Sequence, residues 1–186
     1  MKATSPQHQL LLAAATVLLA SLAMAGCQSS HPDEKSAVTT SLNNNNLSAV
    51  SVSQDRDKGV MTLSGNVETP EFKNQAETIA RQAAPDYTIA NEIGIRPPGE
   101  SNAGAVDSDR DSAIEKNFTA EIKEHKNLDD RSIHCSAKNG TLVLKGSVKT
   151  VSQKREAESL AKQVPNVQQV VNELEVKPGK HSASNS

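Results

Sequence analysis

Aromatic side chains are almost absent from this chain. Its 186 residues include no Trp, one Tyr (Tyr87) and two Phe (Phe72 and Phe118). Proteins that bind single-stranded nucleic acid stack the bases on clustered aromatic side chains in a basic groove. We therefore do not expect nucleic acid as a partner. Any hydrophobic core must be built mainly from Val, Ile, Leu and Ala.

Cysteine is also scarce, with Cys27 and Cys135 as the two examples. Cys27 follows an apolar run at residues 10–25, which is short for a membrane span and typical of a secretory signal peptide. The segment Leu-Ala-Met-Ala-Gly-Cys at 22–27 resembles a bacterial lipobox, so we expect signal removal and acylation of Cys27. Cleavage at Ala-Met-Ala (23–25) is the alternative. Gln28, rather than Asp, after the lipobox cysteine favours the outer membrane.

Residues suited to catalysis or metal binding do not converge in the sequence. Of the five His, His125 and His134 could approach Cys135, but His134 and Cys135 are neighbours on a predicted strand and point to opposite faces. Cys135 shares the inward face of that strand with Ile133 and Ala137, as a buried thiol would. No phosphate-binding loop or nucleophile motif occurs. We expect no enzyme, no metal site and no cofactor.

The chain does contain a long internal repeat. Residues 59–97 and 140–178 align without gaps at a spacing of 81, and roughly 13 of the 39 paired positions are identical. Such a repeat indicates one supersecondary unit present twice. The predicted organisation is a lipoprotein signal peptide at 1–26, a tether at 27–35, a first domain at 36–97 (copy one), a linker at 98–111, a second domain at 112–178 (copy two) and a disordered tail at 179–186.

Both copies predict the same order of elements, α-β-β-α-β. The first helix is long in copy two, with its N-cap at Asp109 or Asp111, and shortened in copy one. A hairpin follows, and then a helix that is capped by Thr69 or Thr150. Because this helix separates the second and third strands, those strands should be parallel. We predict an α+β fold of two tandem modules, each a small mixed three-stranded sheet with two helices on one face.

Six repeated residues are candidates for structural roles. Gly59 and Gly140 close the hairpin turns, where a left-handed backbone favours glycine. Gly65 and Gly146 are repeated in the second strand. Asn91 and Asn172 lie on the inward face of the last strand, where an amide can hold neighbouring backbone groups.

The combined pattern resembles the BON domain, the bacterial osmotic-stress and nodulation module, in two copies. In copy two it comprises Gly140–Val148, Ala157–Ala161 and Val167-x-x-Val170-x-Asn172-x-Leu174-x-Val176; copy one carries equivalents at 59–67, 76–80 and 89–95. The resemblance implies a non-catalytic module on the periplasmic side of the envelope. It also implies binding to phospholipid or other envelope surfaces and a link with osmotic protection and envelope integrity.

Charge distinguishes the two copies. Copy one has five Lys or Arg against seven Asp or Glu, and copy two has eleven against nine. Cationic side chains of copy two are candidates for binding anionic phospholipid, unless they form an ordinary solvated face. The alternative function is an adaptor whose exposed sheet face binds an envelope protein of a secretion system or the cell wall. The candidate lipid-binding residues are Lys145, Lys149, Lys154, Arg155 and Lys162.

Overall fold

The structure is a computed structural model that describes residues 31–99, 103–129 and 132–177. The predicted signal peptide at 1–26, the acylation site at Cys27 and the predicted tail at 179–186 lie outside the described residues. Within the described part of the chain, no helix has the length and apolar character needed to cross a bilayer.

Copy one forms a sheet with both helices packed on one face. Strand β1 is antiparallel to β2, and β3 and β4 are parallel to β2, so that β3 is an edge strand. The parallel pairing confirms the predicted crossover. The elements are α1 (Lys35–Asn44), β1 (Val50–Asp55), β2 (Val60–Val67), α2 (Pro70–Ala83), β3 (Thr88–Asn91) and β4 (Gly94–Ile95).

Copy two repeats this topology, with β7 as the equivalent edge strand. The α+β fold of two tandem modules is therefore confirmed. Its turn at Asn139 and Gly140 has two positive φ angles, 50° and 82°, as a type I′ hairpin turn requires. The elements are α3 (Ala103–Glu124), α4 (Lys126–Asp129), β5 (Ser132–Lys138), β6 (Thr141–Val148), α5 (Val151–Gln163), β7 (Gln169–Asn172) and β8 (Glu175–Val176).

The last strand of each copy is interrupted, whereas the sequence predicts one continuous strand. In copy one the Asn91 side-chain oxygen accepts from the Ile93 amide at 3.3 Å. In copy two Asn172 accepts from Leu174 at 3.2 Å. This local hydrogen bond turns the chain, and pairing with the second strand resumes only at β4 and β8.

The predicted linker is wrong in part, because α3 begins at Ala103 and is 22 residues long. Neither Asp109 nor Asp111 is its N-cap. The Asp111 carboxylate instead accepts hydrogen bonds from the amides of Asn139, at 2.7 Å, and Gly140, at 3.0 Å. Helix α1 has 10 residues, which confirms that copy one has the shorter first helix.

The end of the predicted tether packs against copy one. His31 donates its backbone amide to the Arg56 carbonyl at 3.0 Å, and Arg56 donates Nε to the His31 carbonyl at 2.8 Å. The Pro32 carbonyl accepts from the Tyr87 hydroxyl at 2.6 Å. The chain is thus already part of the domain four residues before α1.

Each copy has its own hydrophobic core between its helices and its sheet. Alanines on the inward side of the second helix are fully buried, and their small size lets that helix approach the sheet closely. A separate buried cluster joins the two copies and contains residues from the uncovered face of each sheet: Val60, Ala90, Val143 and Val171.

Candidate functional site

The two copies contact each other asymmetrically. The edge strand β3 of copy one lies on the uncovered sheet face of copy two. This face carries Thr141, Val143, Gln169 and Val171. The Gln169 amide accepts from the Asn91 backbone N–H at 2.8 Å and donates to the Ile89 carbonyl at 2.8 Å. The Thr141 hydroxyl donates to the Asn91 carbonyl at 2.6 Å. Side chains of copy two therefore bind the backbone groups along this part of the β3 edge.

A buried lysine strengthens the same contact. Lys73 on α2 is 8% exposed and donates its ammonium to the Asn139 carbonyl in the hairpin turn of copy two at 2.9 Å. Burial lowers the pKa of Lys73. In return, the Asn139 side chain donates to the Glu92 carbonyl at 2.7 Å. The turn at residues 139–140 is thus held by α2 and by the end of β3.

Ion pairs lie at the border of the contact. Lys58 in the β1–β2 turn pairs with Glu173 at 2.8 Å, and Lys138 pairs with Glu92 at 3.6 Å. The hydrogen bond to Glu173 raises the pKa of Lys58. Both pairs join one copy to the other, and they favour a fixed arrangement of the two domains.

A cleft of about 830 Å³ opens beside this contact. Six consecutive residues line it on the copy two side, from β7 to the start of β8. Because side chains alternate between the two faces of a strand, six successive lining residues mean that the cleft follows the strand edge. The other walls come from α5 and from the β1–β2 turn of copy one. This interdomain cleft is lined by Asp55, Asp57, Lys58, Val60, Thr88, Lys154, Glu158 and Val170–Glu175.

The structure separates the five candidate lipid-binding residues. Lys145 lies on the uncovered sheet face. Leu142 and Leu144 alternate with it along β6 and belong to the helix-covered core. Lys154 lines the interdomain cleft. Lys162 pairs with Glu158 at 2.6 Å, and this hydrogen bond, followed by one from Asn172, lowers the pKa of Glu158. Lys149 lies two residues before α5, and Arg155 is the fifth residue of that helix.

An exposed apolar residue accompanies Lys149 and Arg155. Val151, the first residue of α5, is 52% exposed, and Arg155 follows it by four residues on the same side of the helix. Within the described chain, neither cation forms an ion pair or a side-chain hydrogen bond. We group these three exposed residues at the start of α5, Lys149, Val151 and Arg155, as the α5 patch: two cations without an ion pair among the described residues, and one apolar side chain.

The six candidate structural residues occupy defined positions. Asn91 donates to the Lys73 carbonyl at 3.1 Å, and Asn172 donates to the Lys154 carbonyl at 3.0 Å. Each amide joins the last strand to the second helix of its copy. All four glycines have positive φ: Gly59 63°, Gly65 110°, Gly140 82° and Gly146 117°.

The side chains considered for catalysis or metal binding, His125, His134 and Cys135, form no common site. His134 is exposed, and His125 faces Glu156 at 3.5 Å. The Cys135 thiol is partly buried between the Glu115 carbonyl and the Thr119 hydroxyl, both at 3.9 Å, and burial raises its pKa. Among the described residues, no cluster of His, Cys, Asp or Glu could hold a metal ion.

Sequence reasoning missed the residues that join the two copies. Gln169 and Thr141 carry the contact, and the repeat places Thr88 and Val60 at their equivalent positions in copy one. These differences were the available signal. Where the uncovered face of one copy has a polar residue and the other copy has an apolar or smaller one, the polar residue is not needed for the fold that both copies share. Such a difference indicates another role.

Comparisons with known proteins agree with the repeat. The family model described as "BON domain" matches residues 33–97 and 110–178. Osmotically-inducible protein Y of Escherichia coli (strain K12) is 27% identical over 140 residues, which cover 73% of this chain and 67% of that protein.

Two solved structures of CdsD, a structural protein of the type III secretion system of Chlamydia trachomatis, also align with this chain. Both are 16% identical to this chain, and the second structure is of the CdsD C-terminal domain. The TM-score is 0.32 for the first structure and 0.31 for the second. The alignments cover 78% and 75% of this chain, and 62% of each CdsD chain.

Proposed function

Because the chain belongs to the BON domain family, we propose that it is a non-catalytic envelope protein that associates with anionic phospholipid and supports envelope integrity under osmotic stress. The osmotic part of the proposal draws on the name of the related E. coli protein. The location draws on the signal and lipobox pattern, with Cys27 acylated and the domains held on the periplasmic side of the outer membrane.

The observation that carries lipid association is the α5 patch. Lys149 and Arg155 are exposed and unpaired within the described residues, and Val151 between them is 52% exposed. A cation near an anionic membrane surface contributes about 1 kcal/mol, and an exposed aliphatic side chain adds apolar contact at the headgroup boundary. Such a small patch gives weak binding alone. Combined with an acyl anchor, it supplies the second signal that stable attachment requires.

The patch also determines how the domain would face the bilayer. Lys145 lies on the uncovered sheet face, and Lys154 faces the interdomain cleft, so a flat membrane that touches the α5 patch need not touch either of them. Lys162 is already paired with Glu158. Of the five candidate residues, we therefore assign lipid contact to Lys149 and Arg155, and we add Val151.

Vesicle flotation tests this assignment. Residues 28–186, without the acyl chain, are mixed with neutral or anionic vesicles. We expect recovery with anionic vesicles only, and at least a tenfold loss for the double variant Lys149→Glu and Arg155→Glu. The matched control, Lys116→Glu with Lys123→Glu on α3, makes the same charge change elsewhere and should float normally. Equal recovery of both double variants would refute the α5 patch as a lipid site.

The anchor requires its own measurement. Mass spectrometry of the mature protein should show Cys27 as an acylated N terminus, and Cys27→Ser should release the protein into the soluble periplasmic fraction. An unmodified N terminus after Ala25 would support the alternative cleavage site and leave the α5 patch as the only membrane contact.

A further inference from the structure

We infer that the edge of β7 in copy two is a binding site for an extended, basic peptide segment of another protein, which adds to the sheet as a further strand. The two copies differ at equivalent positions along this edge. Side chains of copy two bind the edge of copy one, and among residues 31–99, 103–129 and 132–177 no equivalent side chains bind the edge of copy two.

The backbone groups that face the cleft can be identified from the ladder. Gln169 and Glu173 donate their amides to carbonyls before and along β6, at 3.3 and 2.9 Å. In a parallel strand, every second residue directs its backbone N–H and C=O groups toward the neighbouring strand, and the residues between them direct theirs to the opposite side. Val170 and Asn172 therefore present these groups to the outer edge.

Copy one shows what such groups bind. The equivalents of Val170 and Asn172 are Ile89 and Asn91. Gln169 and Thr141 bind the backbone carbonyl of Ile89 and both the backbone N–H and the carbonyl of Asn91. Within the described chain, nothing is hydrogen-bonded to the outward N–H and C=O of Asn172 or to the Val170 carbonyl. An edge strand with free backbone groups in a cleft is the arrangement that binds peptides by strand addition.

The repeated lysine extends the comparison. Lys73 donates to a backbone carbonyl of copy two, and its equivalent is Lys154, which lines the cleft. The Lys154 ammonium forms no ion pair with the described residues. Because Lys73 on α2 and Lys154 on α5 occupy equivalent positions in the two copies, Lys154 is positioned to donate to a carbonyl of a segment that lies along β7.

Charge identifies the occupant. The cleft is lined by five carboxylates and two lysines, and Lys58 is already paired with Glu173. A second copy of this chain would bring another acidic edge into the same space, and the carboxylates would repel one another. A segment that carries Lys or Arg would be attracted. The cleft volume of about 830 Å³ falls in the usual range for ligand sites and accommodates a short extended segment.

The test uses residues 28–186 and the blocked hexapeptide acetyl-Lys-Val-Lys-Val-Thr-Lys-amide. Binding is followed by NMR shifts and by hydrogen exchange of the Asn172 amide. We expect saturable shifts along β7 and slower exchange at Asn172. The same peptide with all of its internal amides N-methylated has no backbone N–H to donate to an edge strand and should bind at least tenfold more weakly. Equal binding of the methylated peptide, or shifts confined to other surfaces, would overturn the inference.

Surface variants separate strand addition from general charge attraction. Reversal of two exposed cleft carboxylates, Asp57→Lys with Glu175→Lys, should weaken binding of the basic peptide at least tenfold. Glu121→Lys with Glu124→Lys makes the same change on exposed positions of α3 and should leave binding unchanged. An equal loss in both double variants, or tight binding of a peptide with Glu in place of Lys, contradicts the site. So does a dimer of this chain that covers Asn172.

Discussion

Gln169 should couple the stabilities of the two copies, although it lies in only one of them. In the Gln169→Ala variant, the Asn91 amide and the Ile89 carbonyl lose their partners. Both residues are buried, with exposures of 2% and 0%. A buried backbone group without a partner costs about 1–3 kcal/mol. With two such groups, we expect copy one to lose roughly 2–6 kcal/mol of stability from a substitution made in copy two.

The chain offers a natural probe for this effect. Tyr87 is the single Tyr, and Trp is absent, so intrinsic tyrosine fluorescence during urea unfolding reports copy one alone. With a urea slope of about 2 kcal/mol per molar, the Tyr87 midpoint should fall by about 1–3 M. Hydrogen exchange at the Asn91 amide should accelerate at least tenfold in the same variant.

Two further variants make the result decisive. Gln168→Ala removes the same type of side chain from the adjacent exposed position and should leave the Tyr87 midpoint nearly unchanged. Gln169→Glu keeps an acceptor for Asn91 but loses the donor to Ile89 and places a second carboxylate near Glu77, so it should be at least as damaging as alanine. If Gln169→Ala and Gln168→Ala have the same midpoint, the proposed coupling is wrong.

Three other predictions concern single residues. Gly65→Ala should cost about 2–4 kcal/mol, visible as a lower Tm, because φ is 110° and a Cβ would come within 2.3 Å of the Ala49 carbonyl; an unchanged Tm would contradict it. Cys135 should react with iodoacetamide more slowly than a free thiol, because burial raises its pKa; unfolding in urea should restore the rate. The hydrogen bond from Lys162 lowers the pKa of Glu158, so its contribution is complete near neutral pH and is lost as the pH falls below about 4. Glu158→Gln should therefore show a shallower fall in Tm on acidification, and identical acid limbs would count against this reasoning.

Local features of the fold were predictable from the sequence because they depend on neighbouring residues. The Thr69 and Thr150 caps both accept from backbone amides of the first turn. The turn at residues 139–140 follows from the backbone preferences of Asn and Gly. Repetition of these signals 81 residues apart also made the domain count and topology predictable, since two independent copies gave the same pattern.

Other features depend on contacts between distant residues and left no local signal. The first residues of α3 are rich in Gly, Ser and Asp and read as a linker, yet Arg96 reaches Asp107 at 2.6 Å and fixes that turn of helix against copy one. The break before β4 depends on the Asn91 side chain, whose inward position follows from the strand pattern, whereas the bend that it causes has no sequence signal. The candidate cations lie on different surfaces of copy two, which was not predictable because sequence proximity does not show which side of a sheet a residue occupies.

The contact of copy two with the edge of β3 fixes the order of the two copies along the chain. Copy two covers the edge of copy one, and no described residue covers the edge of copy two in the same way. The two copies are therefore related head to tail and not by a two-fold axis. Exchanging their order would bring Thr88 and Val60 where Gln169 and Thr141 are needed, and the junction would not close. Such a head-to-tail relation is open-ended. A third module with Gln and Thr at the positions of Gln169 and Thr141 could follow β8 and cover the edge of β7. A module placed before α1 would have to lay its own edge strand on the sheet face of copy one, which lacks both residues.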